Sequence, residues 1–305
     1  MARFKLGLVG AGRMGRTHLR AVTGSEIVAI VAVTEPAAAS RDELAQSGMK
    51  VHAELDAMLD AGGLDGVLIA APSDNHLALV RRIADAVLPI LCEKPCGTTA
   101  AEAAEAARIT QAAGVPLQIA YWRRFVPALQ RLRQRIAEGA FGGIYLAACY
   151  QWDERAPPAA FRTHSGGIFI DMGVHEFDQL RWLTGQDITA VHASAATISD
   201  GPAVPGDAES AQVLCELSGG STGLVSLGRR FPHGDVCWAH IFGTRNAEEC
   251  RFLWPPDAEA AFLQALRLQA ESFARGPPGA GTNGARAEDA VAALTAAEAA
   301  SRILR

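Results

Sequence analysis

Through the first 120 residues, short uninterrupted apolar runs alternate with segments in which apolar residues recur at helical spacing. The runs lie at 6–9, 27–33, 66–71, 89–92 and 116–120. Continuous runs of this length, rich in Val, Ile and Leu, are what strands buried on both faces of a parallel sheet require. Between them, 16–23, 41–46, 76–86 and 98–113 carry helical spacing, the last rich in Ala and Glu with Thr98 or Thr99 as its cap. Repeated βα units with right-handed crossovers predict a doubly wound parallel sheet of Rossmann type.

Beyond about residue 120 the rhythm changes. Segments 143–152, 188–199, 210–217, 222–231 and 236–242 read as strands with no helix between them, joined by Gly/Ser/Pro turns such as Leu217-Ser-Gly-Gly-Ser-Thr. This is the pattern of hairpins, so an open, largely antiparallel sheet is expected. One helix, 171–183, interrupts this half. From Asp257 two helical stretches flank Gly276-Pro-Pro-Gly-Ala-Gly-Thr-Asn-Gly, a loop by composition. The expected fold is α/β plus α+β: a Rossmann domain over 1–120, then an α/β domain over 121–305 built on a large open sheet, with the C-terminal helix packing back on the first domain.

Composition narrows the function classes. A chain of 305 residues with 49% apolar and 20% charged side chains has material for two cores. Its net charge of −5, with Lys and Arg dispersed among Asp and Glu, offers no field for a phosphate backbone, so no nucleic-acid partner is expected. No run of about 18 apolar residues predicts a membrane span, and the N-terminus lacks the apolar core of a signal peptide. Six dispersed cysteines with no CxxC pair fit reduced thiols in a cytoplasmic protein, and no metal site is expected.

Chemistry enters at Gly10-Ala-Gly12-Arg13-Met14-Gly15, between the first strand and the first helix. The first glycine permits a tight turn, the second lets backbone approach a pyrophosphate, and the third allows helix and strand to pack closely. The free N–H groups at the helix start then face the anion. Twenty residues beyond Gly15, Glu35 ends the second run. A carboxylate there accepts ribose hydroxyls and repels a 2′-phosphate, which favours NAD over NADP; the competing reading is a solvated loop carboxylate. Arg13 either reaches the pyrophosphate or lies in solvent.

Glu93-Lys94-Pro95 ends the strand at 89–92, on the sheet edge where open α/β sheets bind ligands; alone, the tripeptide reads as a surface turn. Further on, Asp171, His175 and Asp178 fall at i, i+4 and i+7, a spacing that places them on one side of a helix, while Val174, Phe177, Leu180 and Leu183 supply a buried stripe. A histidine beside carboxylates suits a general base for hydroxyl oxidation. The competing reading is a helix start whose Asp171 complements the dipole and whose His175 packs in a core.

The combination of Gly10-x-Gly12-x-x-Gly15, Glu93-Lys94-Pro95 and Gly166-Gly-x-x-x-Asp171-x-Gly-x-His175-x-x-Asp178 resembles the Gfo/Idh/MocA oxidoreductases, in particular their inositol dehydrogenase branch. The likeness extends to Tyr121-Trp-Arg-Arg124-Phe and to Ala287-Glu-Asp-Ala-Val-Ala-Ala-Leu. It implies that Lys94 contacts both the substrate hydroxyl and the nicotinamide ribose, that Asp171 binds substrate and supports the histidine, and that His175 takes the proton. Pro72, Ser73 and His76 match the segment lining the nicotinamide side, although His76 also fits an ordinary helix start. Arg123 or Arg124, Gln151, Trp152 and Asp153 fall where relatives place polyol-binding side chains; Trp152 stacks on the ring or belongs to the core, and His164 is a weaker candidate.

The resemblance implies NAD-dependent oxidation of a secondary hydroxyl of a cyclic polyol, such as scyllo- or myo-inositol, or of a pyranose at its anomeric carbon, in a homodimer or homotetramer. Two alternatives stand beside it: a reductase of a ketose or anhydro-sugar, and a non-catalytic NAD- and sugar-binding regulator. Intact Lys94, Asp171 and His175 speak against the regulator, which needs no proton acceptor.

Overall fold

Residues 2–198, 204–278 and 282–304 are described by the computed structural model of the chain. The first half follows the order β1 (Phe4–Val9), α1 (Arg13–Val22), β2 (Val28–Thr34), α2 (Ala38–Gln46), β3 (Lys50–His52), α3 (Leu55–Asp60), β4 (Gly66–Ile69), α4 (His76–Asp85), β5 (Ile90–Cys92), α5 (Ala100–Ala112) and β6 (Leu117–Ile119). Then come α6 (Pro127–Ala137), β7 (Ile144–Trp152), α7 (Ala159–His164), α8 (Val174–Thr184), β8 (Ile188–Ala196), β9 (Ser210–Leu217), β10 (Thr222–Gly228), β11 (Val236–Gly243), β12 (Ala247–Leu253), α9 (Ala258–Arg275) and α10 (Ala287–Ser301). The chain divides into two units: Met1–Gly97 with Ala101–Trp122 and Leu263–Glu288, and Thr98–Ala100 with Arg123–Phe262 and Asp289–Arg305. The expected change of rhythm near 120 thus lies two residues from a switch of unit, and the tail is shared between the two.

In the first unit the sheet order is β3-β2-β1-β4-β5-β6 and every pair is parallel. The run residues Leu6, Leu8, Val28, Leu68 and Leu91 are fully buried, as strands covered on both faces must be. Ala270 and Phe273 of α9 join the same core, where the Phe273 ring meets Phe4 edge-on at 5.9 Å. The order reverses between β1 and β4, and their carboxyl ends form the switch point at which such sheets bind ligands. Neither β3 nor α3 was expected. Each is very short, and Lys50-Val-His carries no apolar run because an edge strand needs none.

The second sheet runs β12-β11-β7-β10-β9-β8. All its pairs are antiparallel except β7 with β10, which is parallel. The expectation of a helix-poor half with a single helix is corrected by α6 and α7. In α6, Pro127 opens the helix where its missing N–H costs nothing, and Leu129 and Leu132 bury the stripe. Its many Arg and Gln side chains dilute the apolar signal. Strand β12 was hidden in the same way by Glu248, Glu249 and Arg251, although Cys250 and Phe252 alternate inward. The expected strand end Ser199, and 279–281 of the expected tail loop, lie outside the described residues.

Candidate active site

The glycine-rich turn is shaped from within. Gly10 has φ +92, and a Cβ there would meet the Ala70 carbonyl oxygen at 2.8 Å; a Cβ on Gly15 would collide with the Gly10 carbonyl oxygen. These two glycines close the turn against β4 and α1. Gly12 differs: φ is −67, and nothing lies within 4 Å of an added Cβ. The open space at Gly12 fits the approach of a pyrophosphate to bare backbone, and Arg13 beside it is exposed. Glu35, 9% exposed, accepts the Ala11 N–H at 2.8 Å through Oε2 and the Ala37 N–H at 2.9 Å through Oε1. The carboxylate therefore stands directly against the glycine turn.

Lys94 follows β5 and is half-buried between buried neighbours. Glu93 turns inward: its Oε1 lies 2.7 Å from Nε2 of the fully buried His18 of α1, and its Oε2 accepts the Lys94 N–H at 3.2 Å. His18 thus ties the helix of the glycine turn to the residue preceding Lys94. His76 is buried at the start of α4, its ring nitrogens each 2.8 Å from a carbonyl oxygen, those of Pro95 and Ala71. Burial holds the His76 pKa down against the pull of the two carbonyls, and the ring lies between the loops that follow β4 and β5. Pro72 and Ser73 extend from the β4 loop, with Ser73 starting a short 3₁₀ turn. Cys92 and Cys96, on either side of the tripeptide, are buried free thiols.

In the second unit the expected helix at 171–183 divides into a π turn, Phe169–Gly173, and α8. Asp171 sits in the wide turn, a local geometry that recurs at functional sites. Gly166 and Gly167, both at φ +81, lead into it, and the Asp171 N–H donates to the Gly167 carbonyl at 2.9 Å. The Asp171 carboxylate accepts from Nη1 of Arg229 at 3.2 Å. His175 is 7% exposed in the first turn of α8. The stripe Val174, Phe177, Leu180 and Leu183 is buried as expected, but so are Glu176, Asp178 and Gln179, and α8 is surrounded on nearly every side.

That burial accounts for the arginines. Asp178 is paired with Arg124, which also meets Asp289 at 3.1 Å. Arg123, 2% exposed, is bound to Glu176, to Gln179 Oε1 at 3.1 Å and to Gln151 Oε1 at 2.6 Å. Burial pushes the Glu176 carboxyl up to about 6, against the pull of Arg123. Gln151 passes the network on, donating to Asp153 Oδ1 at 2.9 Å. Burial likewise raises Asp153, and the charges of Asp235 and Asp171 add to the rise. The Trp152 ring packs against Gly228, where a Cβ would strike it, and donates to Ser226 Oγ at 3.2 Å. His164 is exposed. Arg229, Glu176 and His18 carried no sequence signal as site residues, since their partners are 58, 53 and 75 positions away.

Residues 4–121 match the model described as an oxidoreductase family with an NAD-binding Rossmann fold, and 129–247 match the GFO/IDH/MocA C-terminal domain. The Rhizopine catabolism protein MocA of Rhizobium meliloti is 55% identical over 304 residues, covering 100% of this chain and 96% of that protein. The chain belongs to the Gfo/Idh/MocA family. It is an NAD-binding oxidoreductase. Another family relative, Inositol 2-dehydrogenase of Rhizobium meliloti (strain 1021), is 32% identical over 84% of this chain and 78% of its own length. Among solved structures, scyllo-inositol dehydrogenase from Lactobacillus casei with bound NAD(H) and scyllo-inositol superposes with a TM-score of 0.85 at 25% identity, covering 98% of this chain and 96% of that one. No helix among the described residues is long and apolar enough to cross a membrane.

Proposed function

We propose that this Gfo/Idh/MocA oxidoreductase removes hydrogen from one secondary hydroxyl of an inositol-type cyclic polyol, with His175 as the base and Lys94 and Asp171 on the same substrate. The carrying observation is the Asp171 to His175 stretch of the second unit. An Arg-bound carboxylate in a π turn lies four residues before a nearly buried histidine, with the Asp153 carboxyl close enough to sense the charge of Asp171. A polyhydroxylated ring needs such convergent acceptors. The names of the inositol dehydrogenase relatives support the substrate class.

When bound, NAD supplies the acceptor for the hydride at its nicotinamide ring. The remaining work falls to the chain. The imidazole of His175 takes the hydroxyl proton, and Asp171 supports it. The Lys94 ammonium stabilises negative charge developing on the same oxygen. Gly10, Gly12 and Gly15, with Arg13 and Met14, hold the pyrophosphate; Glu35 takes the ribose, and Pro72 and Ser73 line the nicotinamide side. Glu93 and His76 act through the loops they fix, and Arg123 through Gln151 and Asp153.

The test is turnover of a panel of inositols and aldoses with NAD, followed by absorbance of the reduced nicotinamide. At least one inositol is oxidised, and His175→Ala lowers kcat by about 100-fold or more while NAD binds as before. Inertness toward every polyol and sugar, or near-normal kcat in His175→Ala, refutes the reading.

A further inference from the structure

Arg229 immediately follows β10 and is a fully buried cation. Its Nη1 reaches Asp171 Oδ2 at 3.2 Å, and on its other side Nη2 and Nε face the two oxygens of Asp207, each at 3.2 Å. The guanidinium thus spans two carboxylates through different edges of its planar fork, a fixed geometry that a compact lysine ammonium does not reproduce. Its backbone is pinned as well, the N–H donating to the Glu209 carbonyl at 2.8 Å.

Asp207 is itself held on several sides. Oδ2 accepts from Arg162 Nε at 2.6 Å and Oδ1 from the Ala208 N–H at 2.9 Å, while Arg162 continues to Glu209 Oε1 at 2.7 Å. A Cβ on Gly167 would meet the Gly206 carbonyl oxygen at 2.6 Å, so the turn leading into Asp171 lies directly against the residue preceding Asp207. Asp171 is therefore referenced to one small region twice, through its backbone bond to Gly167 and through its side-chain bond to Arg229. Arg229 also supplies positive charge where Asp171, Asp153 and Asp235 gather. Buried contacts of this kind are little screened by salt.

From this geometry we infer that Arg229, anchored by Asp207, is the positioning residue that fixes the Asp171 carboxylate for the substrate. The inference rests on the polyol dehydrogenase reading and deepens it. Arg229 touches neither substrate nor cofactor in this role, and its effect on catalysis passes through Asp171 alone. A purely structural ion pair would instead disturb the whole unit, whatever side chain stood at 171.

A double-mutant cycle separates the two. The full chain is assayed with NAD and an inositol that the unaltered chain oxidises, using Arg229→Lys, Asp171→Asn and both together, with NAD affinity and melting temperature measured for each. Arg229→Lys lowers kcat about 10-fold or more, the scale of one charge-assisted hydrogen bond, and leaves the NAD Kd within about 2-fold. In the Asp171→Asn background the same change costs less than about 2-fold. Asp207→Asn, which keeps the guanidinium but frees its far end, serves as a second probe should Arg229→Lys fold poorly, and it shows the same loss of effect. Unchanged kcat in Arg229→Lys, or losses that multiply in the double variant, overturns the positioning role while leaving the dehydrogenase reading intact. A parent chain inert toward every polyol overturns both.

Discussion

Glu35 binds two backbone N–H groups, those of Ala11 and Ala37, so removing its carboxylate takes away an acceptor as well as a charge. Charge-assisted bonds of this kind contribute more than neutral ones. Glu35→Ala is expected to weaken NAD binding about 10-fold and to narrow the preference for NAD over NADP, read by titrating quenching of protein fluorescence with each nucleotide. Full NAD affinity with unchanged preference would show that the ribose does not depend on this side chain. At this scale, Asp171 and His175 were marked out by their helical spacing, and Lys94 only by the combined motifs that resemble the family. Arg229, Asp207, His18 and Glu176 were not. A buried charge is recognisable as such only with its partner, and these partners lie on distant strands and turns. Arg123 was offered by its place in a motif, and its guanidinium binds Glu176, Gln179 and Gln151.

At the scale of elements, strands covered on both faces were readable from continuous apolar runs, and β1, β2, β4, β5 and β6 fall within a few residues of them. Elements that bury one narrow stripe, such as α6, or pair at an edge, such as β3, need few apolar residues and leave a faint trace. The break of the expected helix into a π turn and α8 has no periodic signature at all. The glycine turn offers a sharper test, because its glycines serve different ends. Gly15→Ala pushes a methyl group into the Gly10 carbonyl and is expected to destabilise the fold by about 2–4 kcal/mol, whereas Gly12→Ala enters open space. The Gly12 variant should keep the parent melting temperature and lose NAD affinity, about 10-fold or more, because the methyl group occupies the approach of the pyrophosphate. Calorimetric melting and nucleotide titration of both variants decide it. A Gly12→Ala chain with normal NAD binding places the phosphates elsewhere.

At the scale of the whole molecule, three carboxyls raised by burial, Asp153, Glu176 and Asp178, couple stability to pH. Glu176 is fully buried and titrates near 6 when folded, against its ordinary 4.5, because burial outweighs the pull of Arg123. Between those values the folded chain holds more of the proton than the unfolded chain. Stability from this group is therefore fully present below about 4.5 and is lost as pH rises through about 6, by about 2 kcal/mol. Asp153 and Asp178 are raised by burial as well and act in the same direction. Glu105, drawn to about 2 by Arg108 and Arg81, acts oppositely, but it does so at the surface, where solvent screens it. Glu176→Gln removes the titrating group while retaining hydrogen-bonding capacity beside Arg123. Denaturant unfolding of both chains at intervals from pH 4.5 to 7 should give a difference, parent minus variant, that declines by about 2 kcal/mol across the window. The slope is the deciding quantity, because the amide also changes the absolute stability at every pH. A flat difference curve would mean that Glu176 titrates in the folded chain as it does in the unfolded one, the pull of Arg123 cancelling the effect of burial.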